Sequence, residues 1–201
     1  MKDYLMLINK DNLFSQDMME GVEFVDAEIN SSPNKAFVEA QTFKAFEALK
    51  KELDKSGIVA TLNSAGRTID EQQQTLDEAI KQVGEIEAKK NVAVAGASEH
   101  HTGLALDVRL KRKNAKDIRN VKYVRILDRM IMYAKMNEIL EKYGFILRYT
   151  KDKSEITGFN PEFWHIRYVG VEHAKEMKQT GMCLEEYVAK INQVQDGLSV
   201  S

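Results

Sequence analysis

The chain lacks the features that mark several classes of protein. Its 201 residues include one cysteine, Cys183, which excludes an internal disulfide and a zinc site built from several cysteines. No apolar run approaches the roughly 20 residues that a membrane-spanning helix needs. The net charge of -2 provides no general attraction to nucleic acid or to an anionic membrane. A metal site in this chain must therefore use mainly His, Asp or Glu, and only four histidines are available.

The amino terminus, MKDYLMLINKD, does not resemble a secretory leader, because its apolar run is short and acidic residues lie close to it. We therefore expect a cytoplasmic protein if the chain is complete, and an extracytoplasmic, cell-wall protein if a leader has been removed. Neither a nucleic-acid partner nor a membrane span is expected.

The composition, 43% hydrophobic and 30% charged residues, is that of an ordinary globular domain. Apolar periodicity predicts strands at 4–8, 21–27, 58–62, 103–110, 145–149 and 163–169, and helices at 32–57, 68–83, 123–143, 171–179 and 183–192. Because the chain shows no repeat and no linker, we expect one α+β domain, residues 1–192, and a tail at 193–201. The domain should contain a small, mostly antiparallel sheet flanked by helices.

Local signals predict where two helices begin. Ser32 followed by Pro33 is typical of a helix start, and Thr68 with Glu71 forms a capping box. Helical spacing also predicts the buried faces: Leu76, Ala79, Ile80 and Val83 in the second helix, and Ile126, Met130, Ala134, Met136, Ile139 and Leu140 in the longest one. A polar stretch at 151–158 is hairpin-like.

The stretch SEHHTGLALD, residues 98–107, places histidine and a carboxylate around a Thr-Gly turn. Alternation along the strand that follows puts Asp107 on the face opposite to Leu106. His100 and His101 are rival candidates for a metal ligand, because adjacent residues of an extended segment point to opposite sides. Strand parity does not decide between them.

A second stretch, EFWH, residues 162–165, supplies His165 with a glutamate three positions before it. Catalytic zinc typically keeps three protein ligands and leaves a fourth position for water. Two imidazoles and the carboxylate of Asp107 would leave a net charge near +1, which favours polarising a carbonyl. Glu162 is the candidate general base. Since residues three apart in a regular strand face opposite ways, Glu162 and His165 can share a site only if the backbone bends.

Two further residues have side chains suited to such a site. Arg67 ends a loop just before a helix, where its guanidinium could polarise a carbonyl or bind a carboxylate. Ser98, two residues before His100, could hydrogen-bond to substrate or support a ligand. His173 lies in a polar helix and is expected to be solvated.

These motifs resemble those of a known family. SEHHTGLALD and EFWHIRYVG are similar to the two zinc motifs of the VanY-type D-alanyl-D-alanine carboxypeptidases, and SAGRTIDEQQ resembles the family's S-G-Y-R-S segment. Relatives of that family include D-Ala-D-Ala dipeptidases, LdcB-type LD-carboxypeptidases and some phage endolysins. The resemblance extends from about residue 4 to residue 190.

The resemblance implies a zinc metallopeptidase that removes a C-terminal D-amino acid from a peptidoglycan stem peptide or precursor, with zinc at the sheet. It assigns seven site residues: His100, Asp107 and His165 as zinc ligands, Glu162 as the base, Arg67 as the arginine that stabilises the oxyanion or the substrate carboxylate, and Ser98 and Gln72 as substrate contacts. His100 rather than His101 is the ligand on this pattern.

The chain departs from the family at Gly66, where tyrosine is usual, and at Ala95 and Phe163, where proline is common. These departures concern the substrate subsite. A D,D-dipeptidase or a peptidoglycan endopeptidase with the same site remains an alternative, and a non-catalytic cell-wall-binding module is an alternative of another class. The basic run from Arg109 to Lys122 is expected to be a solvated loop or, on a sharper hypothesis, to be attracted to an anionic wall polymer.

Overall fold

Two antiparallel sheets organise the fold. A computed structural model describes residues 4–30, 35–114 and 122–198. The sheets are a hairpin of β1 (Phe24–Glu28) and β2 (Lys35–Glu39), and a four-stranded sheet of β3 (Ile58–Ser64), β4 (Ala105–Arg112), β5 (Phe145–Tyr149) and β6 (Glu162–Tyr168) in the order β3-β4-β6-β5. This α+β architecture, one domain with small antiparallel sheets flanked by helices, confirms the predicted fold class.

Helices surround the larger sheet. They are α1 (Ala40–Lys55), α2 (Ile69–Val83), α3 (Glu85–Ala88), α4 (Lys122–Asn137), α5 (Ser154–Thr157), α6 (Val171–Thr180) and α7 (Leu184–Leu198). Short 3-10 turns occur at Gln16–Met19, Glu99–Thr102, Leu140–Tyr143 and Lys151–Lys153. Within the described ranges, no helix combines the length and the apolarity that crossing a bilayer requires.

One face of the larger sheet packs against α1. Leu49 and Leu53 of α1 are buried together with Leu62 of β3 and Leu106 of β4. Burial of a leucine side chain stabilises the fold by about 1.5–3 kcal/mol. Because side chains alternate along β4, the residues that flank Leu106 face the other side of the sheet, and Asp107 lies there.

Several predicted boundaries are confirmed. The capping box at the start of α2 is present, with the Glu71 amide donating to Thr68 Oγ1 over 3.2 Å and the Thr68 amide donating to Glu71 Oε2 over 2.8 Å. Beyond the end of α1, Gly57 has a φ of +70°, a conformation that favours glycine. The capping box of Thr68 and Glu71 places Arg67 immediately before the start of α2.

Two predictions in the first forty residues are wrong. Residues 4–8 form no strand. The carbonyls of Tyr4 and Met6 instead accept hydrogen bonds from the guanidinium of Arg167, over 3.2 and 2.7 Å. The helix α1 begins at Ala40, capped by the Glu39 carboxylate on the Thr42 amide over 2.7 Å. Ser32 and Pro33 lie outside the described residues, and β2 separates them from the helix.

The predicted apolar face of the longest helix is partly wrong. In α4, Ile126, Met130 and Ala134 are exposed, whereas Met136 is buried as predicted. Tyr133, which was not predicted, is buried as well. The hydroxyl of Tyr133 donates to the Val108 carbonyl over 2.9 Å, which orients this helix on β4.

Three other element predictions differ from the structure. Val83, at the end of α2, is exposed. Residues 151–158 form a 3-10 turn and α5 instead of a hairpin. The last helix, α7, runs to Leu198, beyond the predicted end near 192. Residues 115–121 of the predicted basic connection lie outside the described ranges.

Candidate metal centre

Three side chains from separate elements meet on the open face of the larger sheet. His100 comes from the 3-10 turn, Asp107 from β4 and His165 from β6. Asp107 and His165 are direct cross-strand partners. One ligand atom from each of the three residues can be chosen so that all lie within 4.8 Å of one another. The structure thus brings together the three predicted metal ligands.

The spacing of these atoms suits a small cation. His165 Nδ1 lies 3.1 Å from Asp107 Oδ1, and His100 Nε2 lies 3.5 Å from Asp107 Oδ2. Bonds of about 2.0–2.1 Å to a tetrahedral zinc would separate neighbouring ligand atoms by about 3.3 Å. The donor set of two nitrogens and one carboxylate is also typical of zinc. The residue types and their proximity therefore fit a zinc ion.

The other ring nitrogen of each histidine is held by an oxygen acceptor. His100 Nδ1 donates to the Ala65 carbonyl over 2.6 Å, and His165 Nε2 donates to Glu99 Oε1 over 2.8 Å. Since a carbonyl or an ionised carboxylate can only accept, a hydrogen lies on that nitrogen, and the other nitrogen of each ring, which faces Asp107, is the one that could bind a metal. Both imidazoles are thus oriented for a metal.

Burial shifts the protonation of these groups. Burial and the nearby Arg67 guanidinium lower the pKa of His100 to about 4, so that this imidazole is neutral near pH 7. Burial also acts against charge on His165, but hydrogen bonds to Asp107 and Glu99 raise its pKa to about 9. Burial acts to raise the pKa of Asp107, but the two imidazoles hold it well below its usual range. A cation between these ligands would take the place of the proton on His165 Nδ1.

The structure favours His100 over His101 as the ligand. Both ring nitrogens of His101 bind the backbone, with Nδ1 donating to the Arg67 carbonyl over 2.8 Å and Nε2 accepting from the Gly96 amide over 3.1 Å. His101 therefore joins two loops around the site. His173 is half-buried on α6 with its Nδ1 3.0 Å from the Tyr187 hydroxyl.

Glu162 lies beside the three candidate ligands because β6 is bulged. Leu147 pairs with Ile166 but Tyr149 pairs with Glu162, so β6 advances four residues where β5 advances two. The carboxylate Oε2 of Glu162 lies 3.7 Å from His165 Nδ1. Burial raises the pKa of Glu162 to about 7. This irregularity is the bend that the spacing of Glu162 and His165 requires.

A cavity of about 280 Å³ opens beside the three candidate ligands. Arg67, Gln72 and Ser98 line this metal-site cavity. Arg67 Nη2 lies 3.9 Å from Asp107 Oδ2, and burial lowers the pKa of Arg67. Gln72 Nε2 donates to the Ala93 carbonyl over 2.7 Å, and the Ser98 hydroxyl accepts from the His100 amide over 3.4 Å.

Two buried polar atoms of this cavity have no partner. They are Arg67 Nε and Gln72 Oε1, and among the described residues no other buried side-chain nitrogen or oxygen lacks one. A buried polar atom without a partner costs about 1–3 kcal/mol. Two residues that line the cavity thus have one donor and one acceptor that no protein group satisfies.

Behind His165 lies a charged residue that sequence reasoning missed. Glu99 is fully buried, and its Oε2 accepts from Arg148 Nε over 2.9 Å and from Arg167 Nη1 over 3.1 Å. Arg148 in turn binds both carboxylate oxygens of Glu185, over 2.9 and 2.6 Å. Burial acts to raise the pKa of Glu99, but the two guanidinium groups hold it well below its usual range.

We call Glu99, Arg148, Arg167 and Glu185 the Glu99 network. One signal in the sequence could have revealed part of it. Arg167 is two residues after His165 on β6, so the two side chains leave the same face of the strand. Glu99 itself sits next to a metal-ligand candidate but has no periodic signal of its own.

The departure at Gly66 has a structural reason. A Cβ at this position would lie 2.3 Å from the Phe37 carbonyl and 2.4 Å from the Phe37 ring. The Gly66 amide also donates to that carbonyl over 2.9 Å. Here β2 comes so close to the wall of the site that only glycine fits.

Comparison with known proteins decides the family. The family model described as "VanY: D-alanyl-D-alanine carboxypeptidase" matches residues 35–171, more than half of the chain. The chain belongs to the VanY family. The VanY match includes all of the predicted metal ligands and Glu162.

Individual relatives agree with the VanY assignment. The chain is 31% identical over 193 residues to a D-alanyl-D-alanine carboxypeptidase of Enterococcus faecalis, covering 92% of this chain and 65% of that protein. It is 41% identical over 123 residues to VanXYC of Enterococcus gallinarum, a bifunctional D-Ala-D-Ala dipeptidase and carboxypeptidase, covering 60% of this chain and 62% of that protein. The chain therefore spans less than two thirds of the length of these curated VanY relatives.

A solved VanY structure also matches the fold. It is a vancomycin-resistance D,D-pentapeptidase, VanY, in complex with Zn(II), with a TM-score of 0.73 and 31% sequence identity. The match covers 92% of this chain and 98% of that chain. The recognition of the VanY-type family from the two sequence motifs is thus confirmed.

Proposed function

We propose that this chain is a zinc-dependent carboxypeptidase that cleaves a C-terminal D-Ala-D-Ala bond in peptidoglycan stem peptides or precursors. The observation that carries the proposal is the arrangement of His100, Asp107 and His165 around one point, with the Glu162 carboxylate 3.7 Å from His165 Nδ1. Membership of the VanY family and the names of the similar proteins support this reaction and this substrate class.

His100, Asp107 and His165 would hold the zinc ion, and Glu99 and the Ala65 carbonyl would orient the two imidazoles. Zinc, when bound, supplies a Lewis acid that polarises the scissile carbonyl and makes a water molecule more acidic. Glu162 accepts the proton of the attacking water and delivers it to the amine that leaves, so the proton count balances.

The remaining cavity residues would position the peptide. Arg67 faces Asp107 and stabilises negative charge that develops on the carbonyl oxygen. Gln72 Oε1 accepts from an N–H of the peptide, and Ser98, which also lines the cavity, offers its hydroxyl. These roles give the two partnerless atoms, Arg67 Nε and Gln72 Oε1, a function.

A D,D-dipeptidase activity with the same site is the second candidate. The bifunctional name of the VanXYC relative favours it. An endopeptidase would also use these residues. A non-catalytic wall-binding module would not need Glu162 to be bent into the cavity beside the metal ligands, and the bulge in β6 therefore argues for catalysis.

The test is a cleavage assay read by mass spectrometry. Zinc-loaded protein is incubated with free D-Ala-D-Ala and with acetylated tri-, tetra- and pentapeptides that end in D-Ala-D-Ala. We expect the peptides to lose one terminal D-Ala, and a chelator to stop the reaction. Hydrolysis of the free dipeptide alone would instead identify a dipeptidase, and no cleavage of any substrate by zinc-loaded protein would overturn the proposal.

A further inference from the structure

A second cavity adjoins the metal-site cavity. It measures about 430 Å³ and is lined by Asn63, Val108, Arg109, Leu110, Arg129, Tyr133 and Trp164. Trp164, the residue before His165, lines both cavities. A peptide bound at the metal could therefore extend past this indole into the second cavity.

The second cavity opens where β4 and β6 separate. The two strands pair only at Ala105–Asp107 with His165–Arg167. Beyond Asp107, no strand in the described ranges pairs with β4 on the side of β6. The Tyr133 hydroxyl from α4 instead binds the Val108 carbonyl over 2.9 Å. The gap begins directly beside the metal ligands.

Two arginines in this gap have no carboxylate partner among the described residues. The Arg129 guanidinium lies over the Tyr133 ring, 5.9 Å from its centroid, and Arg109 is exposed at the cavity wall. Neighbouring cations differ, since Arg112 binds Asp128 over 2.7 Å and Lys113 binds Asp54 over 2.8 Å. The guanidinium groups of Arg109 and Arg129 are therefore available to an anionic ligand at the cavity.

We propose that the cavity bounded by Arg109, Arg129 and Trp164 is a substrate subsite that binds a carboxylate of the peptide, on the amino-terminal side of the cleaved bond. This subsite rests on the proposed function, because it assigns the peptide a direction through the metal site. Arginine binds carboxylates with charge-assisted, often bidentate hydrogen bonds.

The strand geometry limits where this carboxylate lies in the peptide. Arg109 and Asp107 leave the same face of β4, and two residues of a strand span about 7 Å. An extended peptide residue spans about 3.4 Å. The carboxylate therefore belongs to a residue one or two positions before the residue whose carbonyl is attacked. A phosphate group on a distant carrier would lie too far away to reach this cavity.

The test compares matched peptides that differ in one carboxylate. Acetyl-Glu-D-Ala-D-Ala is paired with acetyl-Gln-D-Ala-D-Ala, and a second pair carries Glu or Gln one residue further from the end. Dissociation constants are measured by calorimetry on the zinc-loaded E162Q protein, with and without R109Q/R129Q. A K44Q/K51Q variant, which removes two exposed charges from α1, controls for net charge.

We expect the Glu peptide of at least one pair to bind about tenfold more tightly than its Gln counterpart. R109Q/R129Q should abolish this preference, and K44Q/K51Q should keep it. Equal binding within both pairs, or a preference that survives R109Q/R129Q, would overturn the subsite. Failure of the proposed function would look different, because the wild-type enzyme would then cleave none of the four peptides whatever their affinity.

Discussion

The two ring nitrogens of His165 face regions of opposite character. On the Nδ1 side lie Asp107, Glu162 and the metal-site cavity, with two buried polar atoms that have no partner. On the Nε2 side, every charged group of the Glu99 network is paired. A satisfied network fixes a side chain in place, whereas unsatisfied groups are available to a ligand. The difference supports the proposal that one side holds the site in place and the other binds substrate.

The largest effect on stability is expected from disrupting the Glu99 network on the Nε2 side of His165. E99Q removes the charge that faces Arg148 and Arg167, so that Arg148 keeps only Glu185 and Arg167 keeps only backbone carbonyl acceptors. Unfolding free energy should fall by about 3–5 kcal/mol. Zinc affinity should fall about 10–100-fold, because His165 loses a charged hydrogen-bond partner. Urea unfolding and zinc titration measure the two quantities.

The exposed Glu155 provides the control, since E155Q should change neither quantity. Glu99 has its pKa lowered in the folded state below the ordinary 4.5, so its contribution is present above that pH and is lost as the pH falls. The gap in stability between wild type and E99Q should therefore narrow below about pH 4.5. An E99Q protein as stable as E155Q at pH 7 would show that the network does not support the site.

A smaller effect is expected at the wall of the metal-site cavity. G66A places a methyl group 2.3 Å from the Phe37 carbonyl, which requires backbone movement. Such overpacking should cost about 1–3 kcal/mol of unfolding free energy. S64A, two residues earlier on the half-buried end of β3, should change it by less than about 0.5 kcal/mol. Equal stability of the two variants in thermal or urea unfolding would mean that β2 does not pack against this wall as described.

The smallest effect on stability is expected from replacing His101. Comparison of this variant with one at His100 distinguishes a structural histidine from a metal-binding one. H101Q loses hydrogen bonds to the Arg67 carbonyl and the Gly96 amide, with an expected cost of about 1–2 kcal/mol. Its zinc content, measured by mass spectrometry of the native protein, should stay at one ion per chain. H100Q is the matched comparison and should lose most of its zinc affinity. The reverse result would make His101 the ligand.

The contrast between the two sides also explains what sequence could and could not predict. His100, Asp107, His165 and Glu162 belong to two short motifs whose internal spacing is set by a turn and a strand, so local reasoning and the family resemblance located them. The pairing of Asp107 with His165 then follows from one antiparallel register. Glu99 was missed because its partners Arg148 and Arg167 lie 49 and 68 residues away in the chain.

The errors in secondary structure have a similar origin. Residues 4–8 have an apolar pattern typical of a strand, but their carbonyls bind the Arg167 side chain. In α4, helical periodicity is compatible with several buried faces, and the hydrogen bond from Tyr133 to β4 selects the one observed. Tertiary contacts of single side chains, which leave no periodic signal, determine both outcomes.

The most direct test of the central claim is the E162Q protein. Its zinc content and its release of D-Ala from an acetylated peptide ending in D-Ala-D-Ala should be measured on the same preparation. The account predicts one zinc per chain, as in the wild type, and a loss of turnover of at least about 100-fold. Turnover near the wild-type rate with zinc bound would contradict the assignment of Glu162 as the base.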